Sequence, residues 1–209
     1  MAEAITAYPA SLSIDYPDQK RNRLTTFFRI FTVIPILIIL FLIVGTSSNW
    51  SGDGPSYEYA AGGIVFLPLV LMILFRQKYP RWWFDWNLAL TRFIIRVDAY
   101  FLLLRDEYPS TDEEQAVHID IHYPDVKNDL KRWLPLVKWI LAIPHYIVLF
   151  FLGIAVVVVT IIAWFAILFT GYYPRSLFEF VVGVYRWSLR VIVYAVLLTA
   201  DRYPPFSFD

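Results

Sequence analysis

Residues 139–171 run for 33 positions without a formal charge, from Trp139 to Gly171. As one helix, at 1.5 Å per residue, this stretch would be about 50 Å long, too long for a hydrocarbon core of about 30 Å unless steeply tilted. All eighteen Lys and Arg residues lie outside residues 30–75 and 139–174, and the first of these segments holds apolar stretches on either side of a polar one, 45–59. With 58% apolar and 19% aromatic residues gathered into such stretches, the chain reads as an integral membrane protein and not as a soluble domain. Its formal charge is zero, so nucleic acid is not an expected partner. There is no Cys, which excludes disulfides and thiolate chemistry from the sequence. The stretch "MAEAITAYPASLSIDYPDQKR" lacks a basic segment followed by an apolar one, so no cleavable signal peptide is expected.

Self-similarity organises the rest. "LSIDYPDQKRNRL" (12–24) is echoed by "IDIHYPDVKNDLKRWL" (119–134), Ile34-Pro35 by Ile143-Pro144, and "KYPRWWFDW" (78–86) by "YYPRSLFEF" (172–180). "LLLRDEYPS" (102–110) and "LLTADRYPPFS" (197–207) close the two halves. These markers predict two tandem membrane repeats, 1–110 and 111–209. The first carries about 15 extra residues, "GTSSNWSGDGPSYEY" (45–59), expected as a polar surface loop.

The predicted fold class is an all-α integral membrane protein with a small two-stranded sheet on the cytoplasmic side. Each repeat begins with an alternating segment, 10–16 or 117–123, that reads as a strand, and the two strands are expected to pair with each other. A transmembrane helical hairpin follows, over 25–76 (arms 25–44 and 61–76) or 131–171 (arms 131–153 and 156–171, turning near Gly153 to Val156). An amphipathic interfacial helix ends each repeat, 81–104 or 176–199. That makes four transmembrane helices. Pro35, Pro68 and Pro144 read as kinks, and Asp18 and Asp125 as helix N-caps.

The basic residues cluster at 20–29, 76–81, 127–138 and 175, while the loop 45–59 has only Asp53 and Glu58. By the positive-inside rule the basic segments and both termini face the cytoplasm. Arg81, Asp85, Arg92 and Arg96 are spaced by 4, 7 and 4 residues, and Arg175, Glu179, Arg186 and Arg190 repeat those offsets. The spacing puts each set on one helix face, as a charged stripe on an apolar body. Such a helix suits the membrane surface, where Trp82, Trp83, Trp86 and Trp187 are also at home, so the eight charged residues are expected to contact lipid or a partner. Asp85 with Arg92, and Glu179 with Arg186, stand seven apart, too far for a simple one-turn pair.

His118, Asp120 and His122 alternate along one strand and share a face, which makes them a candidate metal set weighed against a plain polar strand face. His145, inside an apolar helix, is expected to bond a neighbouring helix. No phosphate loop, nucleophile elbow or H-E-x-x-H motif occurs, and no cofactor is expected.

Trp133-Leu134-Pro135, Ile143-Pro144-His145, Ala163-Trp164-Phe165, Tyr173-Pro174-Arg175 and Tyr203-Pro204-Pro205-Phe206 together resemble the bacterial membrane proteins grouped as domain of unknown function 4389. The similarity covers the second repeat closely and the first more loosely, which lacks the Pro-His pair. It implies a multi-pass protein of the bacterial inner membrane and brings no assigned activity. The functional expectation is therefore a non-catalytic scaffold or accessory subunit, contacting membrane lipids and other membrane subunits or a second copy. The alternatives are a small-solute or ion transporter or channel, homo-oligomeric or not, and a metal-dependent lipid-modifying enzyme using His118, Asp120 and His122.

Overall fold

The computed structural model describes residues 8–44, 46–51, 54–59, 69–111 and 113–209. Strand β1, Ala10–Ile14, is followed by three short helices in line, α1 (Arg23–Phe27), α2 (Arg29–Thr32) and α3 (Ile34–Val44). Asn22 caps α1, its side chain accepting from the amides of Leu24 and Thr25. The chain breaks at Val33, just before Ile34-Pro35, because a proline lacks the amide and crowds the carbonyl four residues back. Asp18 is not the cap, and Asp125 accepts from the Lys127 amide and the Asn128 side chain in a turn of its own. Segment 45–59 is not a plain loop: β2 (Thr46–Ser51) and β3 (Gly54–Tyr59) pair antiparallel, Thr46 with Tyr59 through Ser51 with Gly54.

Helical residues 69–71 run into a π-turn, Met72–Arg76, closed by Gln77 at φ 48. Pro68 and the first half of the expected helix 61–76, residues 61–68, lie outside the described residues. Helix α4, Arg81–Phe101, leads to strand β4, Val117–Ile121. A 3-10 turn at Leu134–Leu136 and α5, Lys138–Leu141, precede α6, Ile143–Thr170, and α7, Arg175–Ala195, ends the helical part.

The four-crossing architecture is overturned by α6. Among the described residues one helix, α6, is long and apolar enough to cross a membrane. It runs straight through the expected turn at Gly153–Val156. A mid-helix Gly costs only about 1 kcal/mol, and a break there would expose carbonyls with no polar group nearby to receive them. The true boundaries are Pro144, in the first turn, and Gly171, whose φ of 83 suits the left-handed C-cap. At about 42 Å the helix matches a bilayer with its headgroup regions.

The strand expectation holds. β1 and β4 form an antiparallel pair, Ala10 opposite Ile121 and Ile14 opposite Val117, with Leu12 facing Ile119 at the centre. Both strands alternate, so Ala10, Leu12, Ile14, Val117, Ile119 and Ile121 are buried while Ser11, Ser13, His118 and Asp120 face out. Two strands alone are marginal. Here the inner face packs on α7 through β1 and on α4 through β4. Burying five Leu, Ile and Val side chains, at about 1.5–3 kcal/mol each, is what holds the pair.

This layout corrects the expectation of interfacial helices. The apolar body of α7 is used inside the protein: Phe178, Val181, Val182, Val184, Trp187, Val191, Val193 and Tyr194 are all buried against β1 and α6. Trp187 lies in the core, while Trp82 and Trp86 on α4 are exposed. α6 gives the core one stripe, Val156, Ala163 and Ile167, and turns Phe150, Phe151, Ile154, Val157, Ile161 and Phe165 outward.

Candidate functional site

The β1–β4 pair, with α4 and α7 beneath it, collects the charged residues singled out in the sequence. The first arginine of each helix forms a one-turn ion pair, Arg81 with Asp85 at 3.3 Å and Arg175 with Glu179 at 3.7 Å, both exposed. Such pairs contribute little to stability. The later arginines do not meet these acids. Arg92 donates from Nε and Nη2 to the Ile119 carbonyl (3.3 and 3.0 Å), and Arg186 donates from Nε to the Leu12 carbonyl (2.9 Å). Since Leu12 and Ile119 are the central pair, one arginine from each helix closes each edge of the two-stranded sheet. One turn further on, Arg96 donates to the Ser110 carbonyl at 2.7 Å and Arg190 to the Ser207 carbonyl at 2.5 Å.

Each pair of arginines lines a cleft beside the strands. One, about 330 Å³, is lined by Arg92 and Arg96 together with Glu114, His118 and Asp120. The other, about 410 Å³, is lined by Arg186, Arg190 and Arg202 together with Tyr8, Ser207 and Asp209. Burial pulls the pKa of Arg190 down, with Tyr8 and Asp209 opposing. His118 stands 3.2 Å from Asp15 Oδ2 across the strand pair, and the described residues contain no group of three His, Cys, Asp or Glu placed to hold a metal ion. His118, Asp120 and His122 thus share an outer face without converging.

Contacts cross between the two halves of the chain. The Tyr16 hydroxyl donates to the Tyr173 carbonyl (2.5 Å), and the Tyr123 hydroxyl donates to the Tyr79 carbonyl (2.6 Å). Tyr16 stands edge-on to Phe178, and Tyr123 to Phe84, each with ring centres 5.1 Å apart. Arg175 lies over the Tyr16 ring and Arg81 over the Tyr123 ring.

Two buried cation clamps were missed by sequence reasoning. Arg29 is tied to the Arg105 carbonyl (3.1 Å) and to Asp106, and its guanidinium sits 4.0 Å from the Tyr100 ring centre. Arg21 shares Asp106 at 3.0 Å. Lys138 donates to the Ala200 carbonyl at 2.7 Å, lies 2.7 Å from Asp201 Oδ1 and 5.2 Å from the Tyr194 ring centre. The available signal was position: each cation stands five residues before an Ile-Pro marker, and each acid follows a Leu-Leu marker. Burial lowers the Lys138 pKa, and Asp201 restores only part of it. Between α4 and α7, burial pushes the Asp98 carboxyl up to about 6, against a hydrogen bond from Tyr185.

His145 behaves as its surroundings suggested. Trp187 Nε1 donates to His145 Nδ1 at 3.0 Å, and the imidazole stacks on Phe206 at 4.0 Å beside Tyr203. An accepting Nδ1 fixes the proton on Nε2, in a neutral ring.

No curated protein and no solved structure matches the chain. One family does: residues 133–207, from the 3-10 turn before α5 through α7 to the Tyr203–Phe206 segment that encloses His145, match the model of the family described as Domain of unknown function (DUF4389).

Proposed function

We propose that this chain is a non-catalytic membrane protein, a scaffold or accessory subunit that embeds α6 in lipid and presents the β1–β4 pair to water. One observation carries the reading. In the most apolar 18-residue window of α6 only 11% of the residues are buried, whereas the core helix of a soluble protein is mostly covered. An exposed apolar surface of this size calls for lipid or another protein. Leu24, Phe27, Ile30 and Phe31 extend it along α1 and α2, and Trp133 and Trp139 stand exposed near the start of α6, residues suited to headgroup depth.

Two tandem copies form part of the same proposal. The pairing of β1 with β4, the two 21-residue helices α4 and α7, the crossed Tyr16 and Tyr123 contacts and the matching clamps of Arg29 and Lys138 support it. The family resemblance supports a bacterial inner membrane, and Lys131 and Arg132, before α6, support a cytoplasmic start for that helix. Nothing among the described residues favours a solute path or lipid chemistry: Thr160 bonds back to the Val156 carbonyl at 2.8 Å and His145 is closed in by aromatic rings.

Alkaline extraction of expressing cells tests the membrane reading. The chain is expected to stay in the pellet until detergent is added, and Phe151→Glu with Val158→Glu on the outer side of α6 is expected to release it. Recovery of the unaltered chain in the alkaline supernatant would refute the reading. Co-purification from native membranes in mild detergent tests the accessory-subunit part, the expected result being stoichiometric capture of a membrane protein or of a second copy.

A further inference from the structure

The two arginine clefts have the same basic framework but different charge. In the cleft beside β4, Glu114 and Asp120 accompany Arg92 and Arg96, so two cations meet two carboxylates. In the cleft beside β1, the described lining sets one carboxylate, Asp209, beside the guanidinium groups of Arg186 and Arg190, with Arg202 on a further wall. Arg190 is only 6% exposed, and its Nε is buried without a hydrogen-bond partner among the described residues. Among the described residues neither Arg186 nor Arg190 forms an ion pair; each binds a backbone carbonyl, which satisfies a donor without neutralising the charge. A guanidinium withdrawn from water and faced only by the exposed carboxylate of Asp209 is costly, and an anion in the cleft lowers that cost.

We propose that the cleft formed by Arg186, Arg190 and Arg202 is a binding site for a phosphate-bearing anion, a phosphomonoester group carried by a lipid or by a soluble molecule. Arg186 and Arg190 stand one helical turn apart on α7, so their planar forks approach one tetrahedral oxyanion from the same side. Arg202 comes from the segment after α7 and forms another wall. The cleft, about 410 Å³, takes a phosphate with its first substituent and leaves a longer tail outside. Ser207 and the Tyr8 hydroxyl supply neutral polar groups at the rim. The inference is independent of how α6 is embedded and goes beyond the scaffold reading.

The test uses the full chain in uncharged detergent micelles, titrated calorimetrically with inorganic phosphate and, in a separate arm, with short-chain phosphatidic acid. Saturable one-to-one binding of either probe is expected; binding of both means that the phosphate alone suffices, and binding of phosphatidic acid only identifies a lipid source. Arg202 and Asp209 are exposed, so changing them leaves the fold intact. Arg202→Gln is expected to weaken the affinity about tenfold, and Asp209→Asn to tighten it about threefold, by removal of an attractive and a repulsive charge respectively. Arg190→Gln, checked for an unchanged circular dichroism spectrum, is expected to abolish binding, while Arg92→Gln in the other cleft leaves it unchanged. Absence of saturable binding of both probes up to about 10 mM, which is weaker than 3 kcal/mol of affinity, overturns the proposal. So does equal binding by unaltered chain, Arg202→Gln and Asp209→Asn, or the same loss from Arg92→Gln as from Arg202→Gln. Membrane attachment is read separately by alkaline extraction, so its failure leaves this result unaffected.

Discussion

Replacing Lys138 by Met isolates what one buried cation does. The ammonium is fully buried, 2.7 Å from the Ala200 carbonyl and 2.7 Å from Asp201 Oδ1, and the Asp201 side chain is itself only 12% exposed. Met has nearly the same length and volume, so packing is kept and the charge alone is lost. Asp201 is then a buried carboxylate with one remaining donor, the Lys131 amide. Breaking a buried pair from one side costs about 3–5 kcal/mol. At about 2–4 °C per kcal/mol for a chain of this size, the melting temperature should fall by roughly 6–20 °C. The lowered pKa of Lys138 says that its burial outweighs what Asp201 returns, so the pair as a whole is no large stabiliser. Lys138→Met with Asp201→Asn should therefore melt within about 3 °C of the unaltered chain, or above it, since Asn keeps an acceptor for Lys131. Tryptophan fluorescence during heating in detergent reads all three proteins. A single variant melting within about 2 °C of the parent, or a double variant less stable than the single, would refute the reasoning.

Asp98, with its carboxyl at about 6 in the folded chain and an ordinary value of 3.8, binds its proton more tightly when folded. That contribution is present below pH 3.8 and is lost as pH rises through 6, so Asp98→Asn should change little at pH 4 and stabilise by up to about 3 kcal/mol at pH 7 in thermal melts. His145→Leu leaves the buried Trp187 indole N–H without its acceptor and should cost about 1–3 kcal/mol, with a shift in tryptophan emission as a second readout. A Cβ on Gly183 would stand 2.8 Å from Phe208 Cβ, so Gly183→Ala should displace the final residues, costing about 1–3 kcal/mol and exposing the segment after Pro205 to protease. Tyr16→Phe and Tyr123→Phe each remove one hydroxyl donor to a backbone carbonyl, and equal losses of about 0.5–1.5 kcal/mol are expected if the two contacts are equivalent.

The elements legible in the sequence are those set by local rules. Period-two alternation located both strands to within two residues, and the two Ile-Pro positions, read as kinks, are in fact the break before α3 and the start of α6, since a missing amide acts without help from the rest of the fold. α4 and α7 were found but misread in role. A charged stripe on an apolar body is the same pattern whether lipid or protein covers the apolar side, and only the position of β1 and α6 over Val181, Val184 and Trp187 decides it. The turn expected at Gly153 rested on matching the first half, while no residue near it terminates a helix. Arg29 and Lys138 were read as basic flanks because their acids stand 77 and 63 residues away (106 − 29 and 201 − 138), and only their matching places relative to the Ile-Pro and Leu-Leu markers hint at the pairing. The 4, 7, 4 spacing did bring Arg92 and Arg96 to one cleft and Arg186 and Arg190 to another, although their hydrogen bonds go to carbonyls.

The pairing of β1 with β4 has a consequence for biosynthesis. Strand Ala10–Ile14 leaves the ribosome early, yet its hydrogen-bonding neighbour is Val117–Ile121 and its supporting helix is Arg175–Ala195. Until Arg175–Ala195 has been made, Leu12 and Ile14 lack the helix that covers them, and Tyr16 waits for the Tyr173 carbonyl. Residues 10–110 must therefore wait in an unfinished state, so a nascent chain stalled at residue 110 should be a client for chaperones and proteases, and closure of the fold should coincide with translation of α7.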